Sequence, residues 1–229
     1  MEILKITSSA NQKKVLQKVL QVLKNGGVVA HPTETVFGLA ADAQNPFAVQ
    51  RIHVLKQSNP AKPLLINLAA KGWLAQLVTL NANLRKIIRD FWPGPLALIL
   101  KTQKGERQGF RCSSHPLAKL VTRQFQKPLI STSANLAGSP PANSAAEVWQ
   151  IFQCRKNKPA LILDDGSRCS GVPSTILDLS GPIPKLVRVG GRKKSGAKIK
   201  EEITAFLADQ TRQVKEAALT KAGENRETD

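Results

Sequence analysis

Three loop segments carry closely spaced hydroxyl and amide side chains of the kind that bind phosphate and other anions. They are Pro32-Thr33-Glu34-Thr35, Ser131-Thr132-Ser133-Ala134-Asn135 and Ser170-Gly171-Val172-Pro173-Ser174-Thr175. Each borders a short apolar run that reads as a strand, and hydroxyls with exposed N–H groups at strand ends form nucleotide- and anion-binding concavities. Such clusters also make ordinary turns, so weight falls on their company: Lys56, Lys62, Arg111 and Arg188 flank them in sequence. Together they predict a pocket for a phosphorylated ligand. Other chemistries lack their signatures. There is no GxxxxGK[ST] loop, no GxGxxG and no HExxH. His31, His53 and His115 have no nucleophile in register and read as structural or surface residues. Up to residue 191 the acidic residues are scattered except for Asp164-Asp165, which argues against a two-metal carboxylate site. Cys112, Cys154 and Cys169 lack CxxC spacing and are odd in number, so three reduced thiols are expected.

The elements that must hold these loops alternate between helix and strand. Ser8 or Ser9 caps a first helix, in which Val15, Leu16, Val19, Leu20 and Leu23 recur at helical spacing, and Asn25-Gly26-Gly27 stops it. A strand over 28–31 leads into the first loop. A helix from Pro46 to about Lys56 follows, with Phe47, Ile52 and Leu55 expected to face inward. Strands are predicted over 64–68, 96–101, 128–131, 161–163, 175–179 and 186–189, and helices over 83–91, 116–126 and 144–152. This pattern predicts a single α/β domain around a twisted sheet. After Gly190-Gly191 the composition changes to a linker over 192–197. A narrow apolar stripe of Ile199, Ile203, Phe206, Leu207 and Val214 then marks an amphipathic helix that docks on the domain or on a partner, and disorder is expected from 222 on.

Charge narrows the ligand class. The chain has 34 Lys+Arg against 16 Asp+Glu, a formal net charge of +18. The segment from Arg192 on is nearly balanced, so the surplus belongs to the folded body and should attract anions. Aromatic residues make up only 4% and tyrosine is absent, which argues against a base-stacking surface. The apolar runs are strand-length, too short for a membrane span. The first residues lack the pattern of a secretion signal, so a cytoplasmic protein is expected.

The run His31-Pro32-Thr33-Glu34-Thr35-Val36-Phe37-Gly38-Leu39 resembles the opening signature of the YrdC-like threonylcarbamoyl-adenylate synthases. Further matches follow in the family's order: Lys62-Pro63-Leu64-Leu65-Ile66, Phe91-Trp92-Pro93-Gly94-Pro95-Leu96, and Ser131-Thr132-Ser133-Ala134-Asn135 continuing to Gly138. Ile162-Leu163-Asp164-Asp165-Gly166, Gly171-Val172-Pro173-Ser174-Thr175-Ile176 and Leu186-Val187-Arg188-Val189-Gly190 complete them. The resemblance covers roughly residues 10–191. It implies a catalytic domain over 1–191 with the YrdC-like fold, a twisted mixed sheet flanked by helices around a positively charged cavity. Residues 192–229 would be an appendage. The segment after Gly191 is too short for the extra domain of the family's long members, so the chain resembles the short form.

The resemblance also implies an activity. L-threonine is carboxylated with bicarbonate, and the carbamate displaces pyrophosphate from ATP to give threonylcarbamoyl-adenylate. A separate tRNA-modifying transferase complex receives this product and modifies tRNAs that read codons beginning with A. Mg²⁺ would be held mainly by the ATP phosphates. Carried over by motif, Thr35, Asn67, Arg111 and Ser174 would bind threonine. Lys56, Ser58, Lys62, Ser131, Ser133, Asn135 and Arg188 would bind the nucleotide, with Lys56 and Arg111 as the catalytic cations. The physics agrees, because anions that repel each other in water can meet in a cationic, partly dehydrated cavity.

The sequence departs from the family pattern in three places. The usual Lys-x-Arg reads Lys56-Gln57-Ser58, and a serine has neither the charge nor the fork of a guanidinium. Lys62 or Arg107 is expected to cover the lost charge. Phe37 replaces a usual tyrosine and Ser113 a usual proline. The alternative is a catalytically weak paralogue acting as an RNA-binding or ribosome-maturation factor, and direct contact with tRNA or double-stranded RNA stays open.

Overall fold

Short apolar runs with Gly, Pro or Asn between them form strands only if a common sheet collects them, and one sheet does so here. The computed structural model describes residues 1–190 together with 201, 203–206 and 208. Its elements in chain order are β1 (Glu2–Lys5), α1 (Ser9–Lys24), β2 (Val29–His31), β3 (Gly38–Ala40), α2 (Pro46–Lys56) and β4 (Leu65–Asn67). A 3-10 helix (Lys71–Gln76), α3 (Ala82–Phe91), β5 (Leu96–Lys101), β6 (Arg107–Arg111), α4 (Pro116–Phe125) and β7 (Leu129–Ser133) follow. Then come α5 (Ala145–Phe152), β8 (Leu161–Asp164), β9 (Thr175–Asp178) and β10 (Lys185–Arg188). The sheet order is β1-β8-β2-β3-β7-β4-β6-β5-β9-β10, with parallel and antiparallel neighbours mixed.

Local chemistry sets the helix ends. Side chains of Ser8, Asn45, Asn81, His115 and Ser144 each accept a backbone N–H at a helix start. Pro46 and Pro116 occupy first-turn positions that need no N–H donor. The alternation of β8 divides the core. Ile162 joins Phe37, Leu39, Ile52 and Phe152 beneath α2 and α5, while Leu161 and Leu163 join Val19, Leu23 and Val121 beneath α1 and α4. A third cluster packs Leu84 and Ile88 of α3 on Leu98, Phe110 and Leu177. Ile203 is buried in that cluster and Phe206 packs against it, so these two stripe residues do dock on the domain. Ile199, Leu207 and Val214, the linker and the expected disordered end lie outside the described residues.

Two sequence expectations need correction. β1, β3 and β6 were not foreseen as strands. Phe47 does not face inward: it is 72% exposed, while Ala48, Ile52 and Leu55 form the buried face of α2. One residue turns a helical side chain by about 100°, which carries Phe47 from the core to solvent.

Candidate active site

The loop between β2 and β3 is braced by its own hydroxyls. Thr33 Oγ1 donates to Val36 O at 2.6 Å and accepts the N–H groups of Thr35 and Val36. The hydroxyls of Thr33 and Thr35 lie 3.0 Å apart, and Thr35 Oγ1 accepts from Arg111 Nη2 at 2.9 Å. His31, whose Nδ1 lies 3.0 Å from Pro32 O, is fully enclosed, and burial pulls its pKa down to about 4. It is a neutral structural histidine, as its sequence context suggested.

Arg111 ends β6, in register with Asn67 of β4. Its Nη2 lies 2.8 Å from Glu34 Oε1, and both side chains are largely buried. Ser113 Oγ donates to Glu34 Oε2, Ser113 N donates to Asn67 Oδ1 at 3.2 Å, and Asn67 Nδ2 donates to Thr122 Oγ1 at 2.9 Å. One polar chain thus runs from α4 to Thr35. Burial pushes the Glu34 carboxyl up, but the Arg111 charge and the Ser113 hydrogen bond pull it further the other way, below the usual carboxylate range. Glu34 is therefore ionised at neutral pH.

The third loop closes over the first. Ser170 Oγ and Gly171 N both donate to Thr35 O, at 3.1 and 2.9 Å, and Gly171 takes a φ of +80° that favours glycine. Arg188 Nε donates to Ser174 O at 2.9 Å. Partial burial and the Arg111 charge both lower the Arg188 pKa, which places the two guanidiniums within electrostatic reach. Gly190 packs so closely on Pro173 and Ser174 that a Cβ would overlap their backbone.

Among the described residues, Arg111 Nε, Ser174 Oγ and Asn143 Oδ1 are buried around these loops without a hydrogen-bond partner, and Glu34 Oε1 has only its ion pair with Arg111 Nη2. Leaving such a group unpaired costs about 1–3 kcal/mol. A ligand or water that pairs them would remove this cost. A cleft of about 390 Å³ opens at the Thr35 end of this group, lined by Thr33, Glu34, Thr35, His115, Ser167 and Ser170, among others; Arg111, Ser174 and Asn143 are not in its lining. His115 Nδ1 accepts Leu117 N, which assigns the ring proton to Nε2, facing Ser167 Oγ at 3.4 Å and Asp165 Oδ2 at 3.6 Å. Burial lowers the His115 pKa against the opposing pull of Asp165 and Glu34.

The second loop forms a separate group. Lys56 Nζ donates to Ser133 O at 2.5 Å, and to Asn135 O and Asn135 Oδ1 at 3.0 Å each. Ser133 Oγ donates to Asn135 Oδ1, and Asn135 Nδ2 to Leu136 O and Ser139 O. All three ammonium donors of Lys56 thus face the loop that it was expected to help in holding phosphate. Burial first, and Lys62 second, lower its pKa to about 8. Ser131 is buried opposite Leu65 of β4, Lys62 is exposed, and Ser58 Oγ lies 3.0 Å from His53 Nδ1.

The expected site residues therefore fall into three bonded sets: Thr35 with Arg111, Ser174 with Arg188, and Lys56 with Ser133 and Asn135. Asn67 has both ends of its amide taken by Ser113 and Thr122, so it braces the backbone beside Arg111. Glu34, His115 and Asp165 were missed. Glu34 stood inside the first loop, and Asp165 in the only paired acidic run up to residue 191. His115-Pro116 signalled only a helix start.

Hydroxyl loops and two guanidiniums on a mixed sheet make this an α/β domain with groups of the kind that bind anions. Its family follows from comparison: the Sua5/YciO/YrdC family model, described as telomere recombination, matches residues 21–190, and the chain belongs to this family. It is 34% identical over 197 residues to the threonylcarbamoyl-AMP synthase of Bacillus subtilis, covering 81% of this chain and 56% of that protein. It is 36% identical over 150 residues to the Psychromonas ingrahamii protein of the same name, covering 60% of this chain and 78% of that one. Among solved structures it superposes on Pyrococcus abyssi Sua5 complexed with L-threonine, with a TM-score of 0.74 and 29% identity, over 83% of this chain and 58% of that chain. The chain thus spans little more than half the length of two of these relatives.

Proposed function

We propose that this chain makes threonylcarbamoyl-adenylate from L-threonine, bicarbonate and ATP, releasing pyrophosphate. The observation that carries the reading is the set of buried, unpaired Arg111 Nε and Ser174 Oγ beside the Thr35–Arg111–Glu34 cluster. Relatives named threonylcarbamoyl-AMP synthase, and Pyrococcus abyssi Sua5 solved with L-threonine, support reading the occupant of these atoms as threonine.

In this reading Arg111 Nε and Ser174 Oγ meet the threonine carboxylate and hydroxyl, and Thr35 and Asn67 fix the position of Arg111. The amine gives up a proton and attacks the carbon of bicarbonate, with loss of water. A carbamate oxygen then attacks the α-phosphorus and pyrophosphate leaves. The carbamate is the nucleophile, so the protein supplies position and positive charge rather than a covalent intermediate. Lys56 shapes the Ser133–Asn135 loop, whose hydroxyl and backbone groups, with Ser131, Lys62 and Arg188, would hold the triphosphate of MgATP. Mg²⁺ enters with that substrate. The product goes to a tRNA-modifying transferase complex, and the reaction belongs in the cytoplasm with its ATP and tRNA. The non-enzymatic alternative is not favoured, because the relatives are named as synthases.

Pyrophosphate release from ATP tests the proposal. It should require threonine and bicarbonate together. Release that ignores either one contradicts it.

A further inference from the structure

Helix α2 (Pro46–Lys56) presents two large apolar side chains to solvent that no described residue covers. Phe47 and Val54, 72% and 47% exposed, stand two turns apart on its solvent side with Gln50 and Arg51 between them. They border a second cleft of about 430 Å³ whose wall includes Val28, Leu55, Ala160, Lys156 and Lys158. This cleft is not part of the candidate active site. β2 and β8 run parallel, with Val28 and Ala160 just before them and the site loops just after them, so the two clefts lie at opposite strand ends. Among the described residues no carboxylate lines it, and Arg51, Lys156 and Lys158 supply its charge. Glu2, whose N–H bonds Ala160 O, is already paired with Lys18.

We infer that this cleft docks an acidic, amphipathic segment of a partner protein. Complementary charge selects an anionic partner. Shape selects a peptide over a nucleic acid. Phe47 and Val54 sit about 10 Å apart along the helix, the repeat of apolar anchors at i and i+7 on a docked helix. Stacked bases would need several aromatic platforms, and among the described residues Phe47 is the only aromatic side chain in the lining. Apolar anchors of the partner enter between Phe47, Val54 and Val28, and its carboxylates meet Lys156, Lys158 and Arg51. The inference stands on this surface alone and does not depend on the reaction proposed above.

The test uses the full chain and a fluorescein-labelled helical peptide with leucines at i, i+3 and i+7 and glutamates elsewhere. Controls are a scrambled peptide, a peptide with lysines for the glutamates, and a labelled single-stranded RNA. The acidic amphipathic peptide should bind best. The Phe47→Ser/Val54→Ser double variant and the Lys156→Glu/Lys158→Glu double variant should each weaken it about tenfold or more, with pyrophosphate release unchanged. The inference is overturned if that peptide does not bind, if the scrambled peptide binds equally, if the variants leave its affinity intact, or if the Phe47 variant loses RNA binding instead.

Discussion

Arg111 is held by partners on one edge and left open on another. Nη2 serves Thr35 and Glu34, while Nε is buried without an acceptor. A lysine places one ammonium where the guanidinium places a fork, so Arg111→Lys should lose at least tenfold in kcat/KM for threonine. Steady-state kinetics with near-native parameters would contradict the assignment. The gap left by Ser58 is testable beside it. Its hydroxyl meets His53, whereas exposed Lys62 lies close enough to lower the Lys56 pKa. If Lys62 supplies the missing charge, Lys62→Ala raises the KM for ATP several-fold more than Lys101→Ala does. Equal effects would remove Lys62 from the account. Ser58→Arg should tighten ATP binding, measured by titration calorimetry.

At the scale of elements, the site depends on loops that touch between strands far apart in the sheet. The turn ahead of β9 reaches Thr35 beside β3, five positions away in strand order. Gly190 lets the end of β10 press on the Pro173-Ser174 turn, so Gly190→Ala must push that turn away. We expect a loss of about 1–3 kcal/mol by denaturant titration and a larger proportional loss of activity, since Ser174 and Arg188 move together. Unchanged stability and activity would show that the turn is not fixed there. Elements with strong periodicity or clear caps, such as α1, α4 and β5, were legible in the sequence. β6 was not, because Arg107-Gln108-Gly109 hides its alternation and only Phe110 reads as core. β3 is three residues long and runs straight out of the first loop. The Thr35–Arg111 contact joins residues 76 apart and follows only once β7 and β4 are known to lie between β3 and β6. Motifs named most of the candidate site's residues; which of them touch followed only from the sheet.

For the whole molecule, buried titratable groups set an acid limit. An unfolded chain protonates histidine near 6.5, and folded His31 does so only at about 4. Stability therefore falls as pH drops through that interval, by up to about 3 kcal/mol. Glu34 acts in the same direction lower down: its contribution is present above pH 4.5 and lost as the pH falls below it. His31→Gln should flatten the loss between neutral pH and about pH 5 in denaturant titrations, and an unaltered slope would place the sensitivity elsewhere. The measurement that bears most directly on the central claim follows the carbon of bicarbonate. The protein is incubated with ¹³C-bicarbonate, L-threonine and MgATP, and adenylates are analysed by mass spectrometry. We predict an adenylate containing threonine and the label, lost in Arg111→Ala. A threonyl adenylate without the label, or none at all from folded protein, would contradict the account.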